Sequence, residues 1–202
     1  MALKSRLEIA NQSLMWLGES FIYDFDGISK VEGFIRTAYE QSIRSIEREH
    51  DWSFVIERRE LTLLSTEDIE GTFWGFPYFK NLDDDVVRVI EAKDRGEQLS
   101  RNLLLWQVES NRLLANQETV YVRMVLSRPV DEVESTWPLY MSDLIAVKMA
   151  EILAIPITES KEREGQLLAR YELERDRLIT LDSSQGRAPQ LRSSILTSAR
   201  NQ

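Results

Sequence analysis

The stretch His50-Asp51-Trp52-Ser53-Phe54 is where this chain changes its period. Before it, Val31, Ile35, Ala38, Tyr39 and Ile46 recur at helical spacing, and Glu40, Arg44, Glu47 and Glu49 fall on the expected wet side. After it, residues 54–64 alternate in the manner of a strand. Two large aromatics, Trp52 and Phe54, arrive at the switch itself. Large rings need burial, so the switch predicts a seam that pins a helical layer to a β layer.

The rest of the chain supplies both layers. Leu3, Leu7, Ala10, Leu14 and Leu17 step at helical spacing, and Gly18 is a suitable stop. Ser29 and Glu32 have the capping-box spacing for the second helix. Phe21, Ile22, Tyr23 and Phe25 form an apolar patch in the connection between the two. Beyond Trp52, residues 86–90 and 119–125 read as strands, the latter with strict alternation. Residues 103–106 and 112–115 flank a Glu109-Ser110-Asn111 turn. About five antiparallel strands are expected. Pro129 closes this block and Pro138 opens a helix that is apolar nearly all round from Tyr140 to Ile155. Pro156 is expected to break it, Thr158 to cap a last helix, and Leu167, Tyr171, Leu178 and Leu181 to form that helix's buried stripe.

Composition narrows the function. The 202 residues include 25 basic and 34 acidic side chains, a net charge of -9. Residues 183–202 hold Arg187, Arg192 and Arg200 and no acid, so the remainder carries 22 basic and 34 acidic residues, a net of -12. So acidic a body argues against tight grip on a nucleic-acid backbone, which is bound through Lys and Arg. The absence of cysteine removes disulfides, thiol catalysis and thiolate metal sites. No apolar run approaches the length of a membrane span, and the opening residues 1–6 do not resemble a signal peptide.

Candidate chemistry is sparse. His50 is the only histidine, so any Ser-His-Asp arrangement must use it, yet no Gly-x-Ser-x-Gly elbow accompanies it. At a helix end, His50 is better placed to complement the helix C-terminus. Asp83-Asp84-Asp85 offers hard oxygen ligands, but consecutive residues of an extended chain point apart, and a solvated turn fits better. Glu67, Asp68 and Glu70 read as a polar loop. Gly71 and Gly75 lack the flanking residues of a phosphate loop. Trp74, Phe76, Tyr78 and Phe79 have only Lys80 as a basic neighbour, which favours packing over stacking on single-stranded nucleic acid. No catalytic residue, metal ligand or cofactor is assigned. Two readings of the tail 183–202 stay open from composition: a disordered terminus, or an arm whose Leu191, Ile195 and Leu196 dock on a partner while Arg187, Arg192 and Arg200 pair with its acids.

Several segments together carry a resemblance. They are Ile9-Ala10-Asn11-Gln12-Ser13-Leu14 with Leu17-Gly18-Glu19, then Tyr39 leading to His50-Asp51-Trp52-Ser53-Phe54, then Arg59-Glu60-Leu61. Phe76-Pro77-Tyr78-Phe79, the acidic turn 83–85 with the strand after it, Tyr121-Val122-Arg123, Trp137-Pro138 and the Ala-rich helix 144–154 follow in order. In this layout the chain resembles the head-to-tail adaptors of short-tailed bacteriophages, the tail tubular protein A-like group. The resemblance implies an α+β fold: a four-helix bundle built from N- and C-terminal helices (1–52 plus 135–182), an inserted small antiparallel β domain (53–134), and a C-terminal arm (183–202). It implies a structural virion protein of the tail or neck, present in the host cytoplasm during assembly. Copies would form a homo-oligomeric ring, dodecameric by resemblance, that joins the portal protein to the tail nozzle protein. Double-stranded DNA would pass through without sequence-specific binding, and no membrane would be involved. It favours docking for the arm, with Arg187, Leu191, Arg192, Ile195, Leu196 and Arg200 as portal contacts. The rival expectations are a scaffold module of another multiprotein complex and a carboxylate-dependent hydrolase.

Overall fold

The computed structural model describes residues 3–65, 75–94 and 104–184. Helix α1 (Arg6–Leu17) begins at Ser5, whose hydroxyl accepts from the Glu8 N–H while the Glu8 carboxylate accepts from the Ser5 N–H. It stops at Gly18, left-handed at φ 76°, and the Glu19 N–H returns to the Leu14 carbonyl at 3.0 Å. Helix α2 (Lys30–Glu49) starts with the expected Ser29–Glu32 capping box. A short α3 (Val133–Thr136) precedes α4 (Met141–Leu153), and α5 (Lys161–Ser184) closes the described chain. Helix α4 packs against α1, α2 and α5, which explains why it is apolar nearly all round.

Seven described strands form two antiparallel sheets. The strands are β1 (Ile56–Thr62), β2 (Leu64–Ser65), β3 (Tyr78–Asn81), β4 (Val86–Lys93), β5 (Trp106–Glu109), β6 (Arg112–Ala115) and β7 (Thr119–Leu126). One sheet has the order β1-β7-β4 and the other β2-β3-β6-β5. Leu63 links β1 to β2, so one run of chain leaves the first sheet and enters the second. The β5–β6 hairpin turns on Ser110 and Asn111 at φ 48° and 60°, the pair of positive angles that a tight two-residue turn requires.

Strand β7 lies at the centre. Its Val120, Val122, Met124 and Leu126 face a core shared with Leu61, Leu63, Leu82, Ala92, Leu113 and Ala115. Val125 points the other way and joins the helical core of Ile9, Leu14, Ile35, Ile43, Leu144 and Ile145. Neighbouring β4 breaks register between Val86 and Arg88 and again between Val89 and Glu91. The residues inside those breaks, Val87 and Ile90, pack on the helical core, so the two bulges re-aim them.

Several expectations change. Glu47 is 1% exposed rather than on the wet side. The Ser127 hydroxyl donates to it at 2.7 Å and the Arg44 guanidinium at 3.1 Å, which satisfies a carboxylate that α2 turns inward against the end of β7. Val31 and Leu181, expected in buried stripes, are exposed. Asp182, not Leu181, continues the α5 stripe of Tyr171 and Leu178, because i+4 from Leu178 returns to the same face. Pro156 does not end the helical path at once: a π-type turn, Ala154–Thr158, carries it on. The Ser160 hydroxyl, not Thr158, accepts from the first turn of α5 (Arg163 N–H, 3.2 Å), whereas Thr158 donates back to the Ala154 carbonyl. Helix α5 runs through Ser183 and Ser184, two residues into the expected arm. The polar loop of Glu67, Asp68 and Glu70, together with Gly71, Trp74 and Leu103, lies outside the described residues, and β5 starts at Trp106.

Candidate functional site

The period switch is the best-connected point of the molecule. Helix α2 ends at His50, which leaves helical geometry with φ -149°. The chain then drops Trp52 into the core at 0% exposure, and the indole N–H donates to the Ile46 carbonyl at 2.8 Å. A row of rings follows: His50 edge-on to Trp52 at 4.8 Å, Trp52 stacked with Phe54 at 5.9 Å, and Phe54 tilted on Trp137 at 5.0 Å. The aromatic seam expected at Trp52 and Phe54 therefore exists, and Trp137 completes it from the far side of the β block.

Two polar ties flank the rings. Arg88 of β4 donates to Asp51 at 2.9 Å and to the Arg48 carbonyl at 3.0 Å, so it binds both a side chain and the open end of α2. Asp182, on the last turn of α5 and 5% exposed, accepts from the Ser53 N–H at 3.0 Å and the Ser53 hydroxyl at 2.6 Å. One five-residue stretch is thus joined to α2, β4, α5 and the segment before α4.

Ser53, His50 and Asp182 come together here, and their wiring decides what they can do. The serine proton goes to the carboxylate, and His50 Nε2 stands 3.9 Å from that same carboxylate. A nucleophilic relay needs the serine to donate to the imidazole and the imidazole to the acid. This order is different: both neighbours converge on Asp182, which makes the trio a clamp on the end of α5. Of the trio, His50 stands out in the sequence and Asp182 does not, although its i+4 spacing from Leu178 places an acid on an apolar stripe.

The acidic turn has a definite role as well. Arg59 donates to Glu57 at 2.7 Å, to Asp83 at 3.2 Å and to Asp85 at 3.4 Å, and Arg128 donates to the other oxygen of Glu57 at 3.3 Å. Arg59's hydrogen bond holds the Glu57 carboxyl below the usual carboxylate range. The turn is tied to β1 rather than merely solvated. Among the described residues no group of three or more His, Cys, Asp or Glu is placed to hold a metal ion, and no helix is long and apolar enough to cross a membrane. Two concavities open on the helix-side face of the β1-β7-β4 sheet, one of about 550 Å³ beside Arg58, Lys93 and Arg123, the other of about 480 Å³ beside His50, Ser53 and Arg123.

Arg187, Leu191, Arg192, Ile195, Leu196 and Arg200, the arm residues expected to contact a portal, lie outside the described residues. No protein-family model matches this chain, and no curated protein matches it.

Proposed function

We propose that this chain is a structural virion protein, a head-to-tail adaptor of a short-tailed bacteriophage. It catalyses no reaction in this reading. Copies assemble as a ring, dodecameric by resemblance, seat on the portal protein and present the tail nozzle protein with its landing surface. The fold is read as a four-helix bundle of 1–52 and 135–182 that carries the β insertion 53–134, with the arm reaching the portal. The supporting observation is the packing of α1 and α2, from the start of the chain, against the late helix α4, with both sheets strung between them and locked at Trp52.

Charge is consistent with a conduit. An acidic wall repels phosphate and lets a duplex slide, whereas clustered Lys and Arg would create sticking points. Twelve copies at -9 each carry -108, a strong mutual repulsion. Neighbours need complementary patches to offset it, and the charge-dense outer faces of α5 offer them. The isolated chain is expected to stay monomeric and to close into a ring on the portal template. Mass measurement of the purified chain mixed with portal protein tests this: a complex with many copies is expected, and no ring on the portal refutes the reading. Deleting 185–202 leaves α5 whole; folding should be kept and portal attachment weakened.

A further inference from the structure

On the helix-side face of the three-stranded sheet we infer a docking groove for an acidic peptide segment, in which Arg58 and Arg123 together receive one carboxylate side chain of a partner protein. The two arginines are direct cross-strand neighbours in the β1–β7 register. Like charges in that relation, with Cβ atoms about 5 Å apart, repel each other. Among the described arginines, only Arg48, Arg58 and Arg123 have side chains with no hydrogen bond, ion pair or ring contact. Two of these three thus face each other in one groove. The Arg123 Nε–H is also buried without a partner, a donor whose bond is left to be made.

The local charge selects the ligand. Lys93 is paired with Glu91 at 3.2 Å, and Arg59 is held by Glu57, Asp83 and Asp85. That leaves Arg58 and Arg123 as the groove's cations without a carboxylate partner, beside Glu60. The two oxygens of one carboxylate match two guanidinium forks. A phosphate dianion brings a second negative charge against Glu60 and Glu91 in the groove lining. Arg123 also lines the second concavity, with His50, Asp51, Ser53 and Asp182, so the arginine pair borders a longer surface. Such a surface suits a length of chain, its carboxylate seated at Arg58 and Arg123 away from Asp51 and Asp182, better than a small acid.

The side-chain Nε–H resonances of Arg58 and Arg123 report occupancy directly by NMR. The probe is a terminally blocked nine-residue Gly/Ser peptide with one central glutamate. Saturable shifts of both resonances are expected. They should vanish with the glutamine version of the peptide and weaken at least tenfold in the Arg58→Gln/Arg123→Gln protein, while Arg48→Gln leaves them intact. Unchanged thermal unfolding of each variant shows that the fold is kept. If the folded parent protein shows no saturable shift, the groove is not a carboxylate receptor. A phosphoserine peptide that binds as well as the glutamate one overturns the ligand class. Acetate that binds as well as the peptide overturns docking in favour of a small-acid site.

Discussion

Where the helices meet the three-stranded sheet, Trp52, Phe54 and Trp137 stand in a row and Asp182 reaches across to Ser53. Where that sheet meets the four-stranded one, the buried side chains are leucine, valine, alanine and methionine. Both seams exclude water, but they restrict movement differently. Aliphatic contact is non-directional and follows buried area. Ring geometry and hydrogen bonds add an angular requirement. The first seam therefore sets how the helical layer is oriented on the sheets, while the second supplies burial and tolerates repacking.

Four outcomes separate these roles. Trp52→Ala should be the most damaging, by about 3–5 kcal/mol in denaturant unfolding, because it opens a cavity and frees the Ile46 carbonyl. A loss below about 1 kcal/mol would mean that the ring row is not a structural joint. Leu113→Ala, in the aliphatic seam, should cost about 2–5 kcal/mol, yet Leu113→Met should recover most of that. If the Met variant is as unstable as Ala, the second seam is as specific as the first.

Asp182→Ala removes the charged acceptor of two Ser53 donors and should cost about 1–3 kcal/mol. Its signature is local: faster amide exchange at Ser53 and through the last turn of α5, with β7 unaffected. Uniform acceleration would mean that the clamp supports the whole fold. The smallest effect concerns acid. Glu57 has a lowered carboxyl pKa in the folded state, so the unfolded chain binds that proton more readily. The stability it contributes is complete above the unfolded carboxyl value of about 4.3 and is lost as pH falls through the folded value. Glu57→Gln should flatten the fall in urea midpoint between neutral pH and about pH 3, modestly, since the half-buried ion pair is partly screened by solvent. An equally steep fall would place the acid sensitivity elsewhere, with the lowered Asp143 carboxyl as the next candidate.

By itself the sequence determined the features whose causes lie within a turn or two of chain. Gly18 as a stop, the Ser29–Glu32 cap, the buried Trp52 and the alternation of β7 were all legible, because caps, periodicity and turn angles depend on neighbours in the chain. So was the mixed helix-and-sheet class. Tertiary structure alone decided the pairings. Ser53 finds Asp182 at a separation of 129 residues, and Glu47 finds Ser127 at 80. An acid on a helix can face water or a distant hydroxyl with the same local spacing. The bulges of β4 show the same division, since β-branched residues announce a strand but not which layer Val87 and Ile90 will meet. Local propensity is short-ranged, whereas the burial of a charge or the aim of a side chain depends on surfaces that exist only after the chain has closed on itself.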